Sequence, residues 1–234
     1  MTAFEEERRR LRERVWSLVD IDRGTRVLDV GVGREAHSLK KLLELGLVVT
    51  SIDVDLAALR KHDTRGASFV QCNAACLPLR KRTFGLSMVN FTLHEIDPIL
   101  HQKVFAELCR VSERIMIIEP APGTDSVYQR YQQIWTESMH SIGQFEDYQT
   151  VEYWIRLLKK YDAEIAVSEQ LTSSIRVVGP EAKKYMALVL EDMREEGVSE
   201  KYIKKMMTIG RNVENKGMVF SNINVIVAHA QHSK

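Results

Sequence analysis

The sequence has few of the features that mark disulfide-rich, metal-binding or membrane proteins. Its three cysteines, Cys72, Cys76 and Cys109, are an odd number without metal-ligand spacing, and no secretory signal opens the chain. We therefore expect reduced thiols, a cytoplasmic location and no metal. No apolar run approaches the roughly 20 residues that would span a bilayer. Basic and acidic residues nearly cancel to a net charge of +1, which gives no general electrostatic case for a nucleic-acid or membrane partner.

What the sequence does contain is an alternation of short apolar runs with helical stretches between Arg26 and about Glu119. This alternation predicts a parallel sheet with helices on both faces. The β-branched run that closes the chain, "MVFSNINVIVAHA", fits an antiparallel strand beside the parallel ones. The five earlier strand candidates are "RVLDV", "LVVTSID", "SFVQ", "LSMVN" and "RIMIIE".

These patterns predict one domain over residues 1–234, because no linker divides the chain clearly. An amphipathic cap helix is expected at residues 4–19 and the α/β core at 25–120. The weakly periodic stretch at 121–150 is typical of an inserted helix and loop that act as a cap. Residues 151–234 then supply further helices and the last strands.

The turn "VLDVGVGREA", residues 27–36, fits a phosphate-binding fingerprint at Gly31, Gly33 and Ala36. Asp29 argues against a phosphate, because it ends the first strand where a pyrophosphate would approach the helix. At about 4 Å, two like charges repel by roughly 4 kcal/mol even at an effective dielectric near 20. An ammonium would be attracted instead. S-adenosylmethionine carries an ammonium and a sulfonium and has no phosphate, so the turn favours that ligand.

Two later strand ends agree with a nucleoside ligand. Asp53 ends "VVTSID" and can accept hydrogen bonds from ribose hydroxyls, although enzymes that bind NAD use the same device. Asn73, in "QCNAACLPL", offers an amide oxygen to the adenine amine.

From about Arg26 to Pro120 the sequence resembles the class I S-adenosylmethionine-dependent methyltransferases of the small-molecule type. Four features carry the resemblance in this order: D-x-G-x-G, the acidic end of strand two, "A-x-x-L-P" and "F-x-L-x-x-x-N-F-x-L-H-E-I". The resemblance implies a Rossmann-like, doubly wound, seven-stranded sheet, mostly parallel with one antiparallel C-terminal strand. It also implies S-adenosyl-L-methionine as cofactor and S-adenosyl-L-homocysteine as product. The implied cofactor-binding residues are Asp29, Gly31, Val32, Gly33, Asp53, Val54, Asn73, Ala74 and Asn90.

Ligands of open α/β sheets lie beyond the carboxyl ends of the strands, which directs attention to the residues that follow strands four and five. The catalytic candidates are His94, Asn90 and Glu95, with His94 able to act as a general base near neutral pH or to anchor its loop. Glu95 and Glu119 are suited to binding a cationic substrate, and the alternative is that they are helix caps or solvent-facing carboxylates. Tyr128, Tyr131 and Trp135 share one helical face, as a lid or as a packing face. The candidate substrate contacts are Phe91, Glu119, Tyr128, Tyr131 and Trp135.

The predicted reaction is in-line transfer of a methyl group to a small molecule. Methylation of RNA or protein is an alternative, since the same core serves those acceptors. A binding protein without turnover is another, because Glu35, Asn73 and Gly85 depart from the usual family pattern. An NAD-dependent oxidoreductase is a third, and Asp29 counts against it.

Overall fold

A computed structural model describes residues 2–62 and 66–231, which contain a seven-stranded sheet with the order β3-β2-β1-β4-β5-β7-β6. The strands are β1 Arg26–Val30, β2 Val48–Asp53, β3 Ala67–Gln71, β4 Leu86–Asn90, β5 Arg114–Pro120, β6 Glu164–Leu171 and β7 Ile223–His229. The helices are α1 Ala3–Ser17, α2 His37–Glu44, α3 Leu56–Lys61, α4 His101–Val111, α5 Ser126–His140, α6 Val151–Lys160, α7 Gly179–Glu195 and α8 Glu200–Lys216.

Strand β1 lies at the centre of the parallel part of the sheet. It pairs in parallel with β2 on one side and with β4 on the other, and β4 pairs in parallel with β5. The antiparallel C-terminal pair completes the sheet, so the predicted fold class is confirmed. The direction in which the chain adds strands reverses between β1 and β4. In open α/β sheets, ligands bind outside the carboxyl ends of the strands at such a reversal.

The local sequence explains where several elements begin and end. Helix α2 stops before Gly46, whose φ of +75° suits the left-handed turn that follows. The pattern around Pro98 predicts one long helix, but a 3₁₀ turn at Pro98–Leu100 comes first and α4 begins at His101. Asp97 acts as the expected cap, since its carboxylate accepts a hydrogen bond from the Ile99 N–H at 2.9 Å.

Two compact units share the chain. The sheet unit comprises Val15–Glu119, Thr150–Gln170 and Asn224–Lys234, and the helical unit comprises Met1–Arg14, Pro120–Gln149 and Leu171–Ile223. Each unit is assembled from three segments of the chain, so a single cut does not separate them. The expected single domain stays a prediction.

Each unit has its own apolar core. In the sheet unit, the fully buried rings of Phe105 and Trp154 stack with their centroids 6.1 Å apart. In the helical unit, Phe4 stacks on Phe220 at 5.3 Å. Within the described residues, no helix is long and apolar enough to cross a membrane.

Candidate active site

The glycine turn after β1 is held against the end of β2. The N–H groups of Gly31 and Val32 both donate to the carbonyl of Ile52, at 2.9 and 3.3 Å. Gly31 has a φ of +75°, and a Cβ there would overlap the side chain of Thr92. Gly33 has a φ of +60°, and a Cβ there would meet no atom within 4 Å. The first glycine is therefore required by packing, while the second borders open space.

Asp29 lies under this turn with no exposed surface. Its Oδ2 accepts a hydrogen bond from the Ser51 hydroxyl at 2.9 Å, whereas Oδ1 has no hydrogen-bond partner among residues 2–62 and 66–231. Burial raises the pKa of Asp29 to about 6, although the hydroxyls of Ser38 and Ser51 act in the opposite direction. A buried carboxylate oxygen without a donor is costly, and a nearby positive charge would offset that cost.

The acid after β2 also contacts the glycine turn. Asp53 accepts hydrogen bonds from the N–H of Gly33 at 3.1 Å and from the N–H of Asp55 at 2.9 Å. A carboxylate has about four acceptor positions, so its geometry allows two more donors such as ribose hydroxyls. The next residue, Val54, is 64% exposed and presents an apolar side chain beside this carboxylate.

The loop after β3 carries the two residues predicted to contact adenine. The Asn73 side chain is exposed, but its amide oxygen accepts a hydrogen bond from the Ala75 N–H at 2.8 Å. That oxygen therefore already forms a local turn, and its predicted contact with the adenine amine would be a second hydrogen bond. Ala74 is buried.

Strand β4 ends at Asn90, which is half-buried, and the chain then turns sharply. Phe91 has a φ of +52°, which is an unusual backbone conformation for a bulky residue, and its side chain is 42% exposed. Its N–H donates to the Ile118 carbonyl at 2.7 Å, so β5 fixes the turn. Left-handed backbone at such a residue costs of order 1–3 kcal/mol and persists where the surroundings enforce it, often at functional sites.

Glu119 lies at the end of β5 and is fully buried behind this turn. Its carboxylate accepts hydrogen bonds from the N–H groups of Thr92 and Leu93, both at 2.7 Å, and of His94 at 3.3 Å. It also lies 2.6 Å from Nδ1 of His94, whose side chain is 8% exposed. Glu95 is the exposed neighbour, with a carboxylate oxygen 3.9 Å from Nε2 of His94. The sequence-based alternative of a capping carboxylate thus describes Glu119 in the structure, and its predicted contact with substrate stays a prediction.

A second histidine that the sequence reasoning missed holds the same loop. His101 is fully buried and contacts the carbonyls of Leu93 and Ile96 through Nε2, at 3.0 Å each. Its Nδ1 lies 2.9 Å from the Tyr153 hydroxyl, an arrangement that suits donation from Nε2 and acceptance at Nδ1. No sequence signal separates His101 from a surface histidine in the first turn of a helix.

The three predicted aromatic contacts belong to the helical unit and are described there alone. Tyr128 stacks on Tyr131 at 5.5 Å, and Tyr131 stacks on Trp135 at 6.5 Å. The Tyr131 hydroxyl lies 3.1 Å from that of Tyr185, and burial raises the pKa of Tyr131 well above its usual value. These rings pack on each other within their unit, and their contact with substrate stays a prediction.

Comparison with known proteins finds one family model that matches part of the core. Residues 28–114 match the family model described as a methyltransferase domain. Among curated proteins, none matches the chain in sequence.

Solved structures share the fold at low sequence identity. The YcgJ protein from Bacillus subtilis has a TM-score of 0.66 and 13% identity, with 96% of this chain and 98% of that chain covered. A geranyl diphosphate methyltransferase in complex with S-adenosylmethionine has a TM-score of 0.60 and 16% identity, covering 95% and 84%. A Haemonchus contortus N-methyltransferase in complex with phosphomonomethylethanolamine and S-adenosylhomocysteine has a TM-score of 0.61 and 15% identity, covering 94% and 53%.

The residues at the glycine turn fit the cofactor of this family. Asp29 offers a buried carboxylate oxygen without a donor among the described residues, which suits a cationic ligand. Gly33 leaves the space beside the turn open, and Asp53 retains acceptor positions for hydroxyl groups. With the matched domain and the order of the sheet, these features are similar to those of the class I S-adenosylmethionine-dependent methyltransferases.

Proposed function

We propose that the protein transfers a methyl group from S-adenosylmethionine to a small-molecule acceptor. The observation that carries this proposal is the role of Thr92, which links the cofactor turn to the loop after β4. Its hydroxyl contacts the carbonyls of Val30 and Asn90, at 3.1 Å each, and its side chain occupies the space above Gly31. Phe91, which is exposed, directly precedes Thr92 in the chain, and we place the acceptor beside its ring, where it would meet the methyl donor.

When bound, S-adenosylmethionine supplies a methyl group on a sulfonium, so the leaving group comes with the cofactor. The residues of the chain have to bind the two reactants, orient the acceptor toward the methyl group and exclude water. Good alignment of the reactants can be worth an effective concentration of about 10⁵–10⁸ M. We assign the methionine end to Asp29, Gly31 and Gly33. We assign binding of the ribose to Asp53, and contact with the adenine to Val54 and the loop at Asn73.

The remaining candidates take their places around this cofactor. Val32 and Ala74 are buried and act by shaping the turn and the loop that contain them. Asn90 and Phe91 contact the acceptor. Glu119 holds the loop after β4 in place through its hydrogen bonds to the backbone of that loop. We keep Tyr128, Tyr131 and Trp135 as candidates for substrate contact from the helical unit.

Three observations support a small acceptor over RNA or protein. The net charge of +1 offers no general attraction to a polyanion. Two of the neighbours in structure were solved with small molecules, geranyl diphosphate and phosphomonomethylethanolamine. The three cysteines are free thiols, which agrees with a reducing cytoplasm where such metabolites occur.

A labelling experiment tests the proposal even though the acceptor is unidentified. The protein is incubated with methyl-labelled S-adenosylmethionine and either the low-molecular-weight fraction or the dialysed macromolecular fraction of a cell extract. We expect label in the small molecules, with matching release of S-adenosylhomocysteine, and loss of both in Asp53→Ala. Label in RNA or protein would contradict the small-molecule proposal. Absence of label from both fractions would favour a binding protein without turnover.

A further inference from the structure

The end of α3 contacts the glycine turn, and this contact carries an inference that rests on the proposed function, in particular on binding of S-adenosylmethionine at that turn. Nε2 of His62 lies 2.9 Å from the carbonyl oxygen of Gly33. A carbonyl oxygen can only accept a hydrogen bond, so Nε2 must carry a hydrogen and donate it. The side chain is half-buried, and it therefore holds the turn from the side of α3.

Gly33 is held by side chains at both of its backbone polar groups. Its N–H donates to Oδ2 of Asp53 at 3.1 Å, and its carbonyl accepts from His62. Its φ is +60°, and a Cβ there would meet no atom within 4 Å among the described residues. A glycine beside open space has many accessible conformations, so ordering it when a ligand binds costs conformational entropy. The two side chains restrict this freedom before any ligand arrives.

Helix α3 connects the two side chains that hold Gly33. At its start, the N–H of Asp55 donates to Oδ1 of Asp53 at 2.9 Å, and the Asp55 carboxylate caps the first turn. At its end, the backbone of His62 becomes extended, while its N–H donates to the carbonyl of Leu59 at 3.3 Å. This short, capped helix thus limits the separation between Asp53 and His62, and with it the geometry of the glycine turn.

The same end of α3 makes a second contact with the turn through an ion pair. Nζ of Lys61 lies 3.5 Å from a carboxylate oxygen of Glu35, one of the residues that depart from the usual family pattern. Both side chains are more than half exposed, and exposed ion pairs contribute little to stability. The hydrogen bond from His62 is therefore the contact that we expect to determine the conformation of the turn.

We propose that His62 is a positioning residue for the cofactor, which acts through Gly33 and keeps the glycine turn formed before S-adenosylmethionine binds. Binding to a preformed turn loses less conformational entropy, so the affinity is higher than for a turn that has to be ordered. Loss of this one hydrogen bond should weaken the binding of S-adenosylmethionine by about three- to tenfold.

Two amide substitutions separate this hydrogen bond from other roles of the imidazole. The amide nitrogen of glutamine reaches about as far from the backbone as Nε2 of histidine, whereas that of asparagine reaches only as far as Nδ1. By isothermal titration with S-adenosylmethionine, we expect His62→Gln to bind within about twofold of the wild type and His62→Asn to bind about three- to tenfold more weakly.

Two control variants should bind like the wild type. His229→Asn changes an exposed histidine at the end of β7, and Lys61→Ala removes the exposed ion pair from the same end of α3. Thermal melting checks the fold of each variant, and His62→Ala replaces His62→Asn if the latter does not fold. Equal affinity of His62→Asn and the wild type would overturn the proposal. Equally weakened binding in His62→Gln, or in Lys61→Ala, would also overturn it.

Hydrogen exchange in the absence of ligand tests whether His62 keeps the turn formed. The Gly33 N–H donates to Asp53, and this hydrogen bond should open more often when the carbonyl of the same residue is released. We expect faster exchange of the Gly33 amide in His62→Asn, and exchange like that of the wild type in His62→Gln. The same exchange rate in His62→Asn and the wild type would contradict a role in forming the turn.

These outcomes are distinct from those of the labelling experiment. Equal affinity of His62→Asn and the wild type would reject the role of His62 and keep the cofactor assignment. The expected loss of affinity, without label in any small molecule, would support the role of His62 and reject the proposed function. A wild-type protein that does not bind S-adenosylmethionine would reject both.

Discussion

Asp29 shows how a single side chain decides which ligand suits the turn. Its carboxylate is fully buried, receives one hydroxyl from Ser51, and has one oxygen without a partner among the described residues. Burial raises its pKa to about 6, so a large share of the apo protein holds this group protonated below that pH. A cationic ligand would favour the ionised form and lower the pKa.

We predict that binding of S-adenosylmethionine releases a proton from Asp29 near pH 6. The affinity should therefore fall as the pH decreases through about 6, by about tenfold at pH 5 if the bound form stays ionised. Calorimetry at pH 6 in buffers with different ionisation enthalpies measures the released proton. Asp29→Asn is the matched variant and should show no such release. Equal release by both proteins would contradict this role of Asp29.

At the scale of elements, α1 is anchored by a buried carboxylate. Glu7 accepts hydrogen bonds from the hydroxyl of Ser173 at 2.9 Å, from the N–H and hydroxyl of Ser174 at 2.9 and 2.6 Å, and from the N–H of Ile175 at 3.2 Å. Burial alone would raise the pKa of Glu7, but these hydrogen bonds together lower it. The ionised carboxylate therefore stabilises the packing of α1 on this segment within the helical unit.

Glu7→Gln should lower the free energy of unfolding by about 1.5–3 kcal/mol at pH 7, because an amide places donors against donors. Since the folded pKa of Glu7 is depressed, this stabilisation is present above the unfolded pKa near 4.5 and is lost as the pH falls through the lower folded value. Urea denaturation of both proteins measures the difference. Glu6→Gln, whose carboxylate is about half exposed and forms an exposed ion pair with Arg9, should change stability by less than about 0.5 kcal/mol. Equal effects of the two substitutions would contradict the anchoring role.

The strands were predictable from the sequence because each is a short apolar run that the sheet buries. Val27, Leu28 and Val30 of β1 are at most 2% exposed, and the helix expected after Gly33 ends before Gly46 as its glycine indicates. The ends of elements were less predictable. The last strand begins at Ile223 and not at Met218, because Met218 only forms an isolated antiparallel bridge with Val177.

The structure brings some of the predicted site residues together, and their binding roles stay predictions. Asp29, Gly33 and Asp53 stand out by type and spacing, and the structure brings Gly33 and Asp53 into direct contact. Tertiary contacts decide the rest. The hydrogen-bond partners of Glu119 lie on a loop 25 to 27 residues earlier in the chain. The order of apolar and polar residues within one strand does not predict such a contact. The left-handed backbone of Phe91 likewise follows from packing, since no local signal favours it.

At the scale of the whole molecule, the chain comprises a sheet unit, part of which matches a methyltransferase family model, and a second compact unit that is mainly helical. The matched family region, residues 28–114, lies within the sheet unit and contains the glycine turn, Asp53 and the loop after β4. The helical unit draws its residues from the start, the middle and the later part of the chain, and its aromatic core includes Phe4, Tyr128 and Phe220. The residues that we propose for cofactor binding thus all lie in the sheet unit, within the matched region.

The central claim is that the glycine turn and Asp53 bind S-adenosylmethionine at the carboxyl ends of β1 and β2. Isothermal titration of wild-type protein and Asp53→Ala with S-adenosylmethionine, S-adenosylhomocysteine and NAD tests it most directly, with Asp20→Ala as an exposed control and thermal melting to check the fold. We expect both sulfur compounds to bind the wild type and the control, and loss of the ribose contacts to weaken binding by about tenfold or more in Asp53→Ala. NAD should give no binding heat. Unchanged affinity in a folded Asp53→Ala protein, or saturable binding of NAD, would contradict the account.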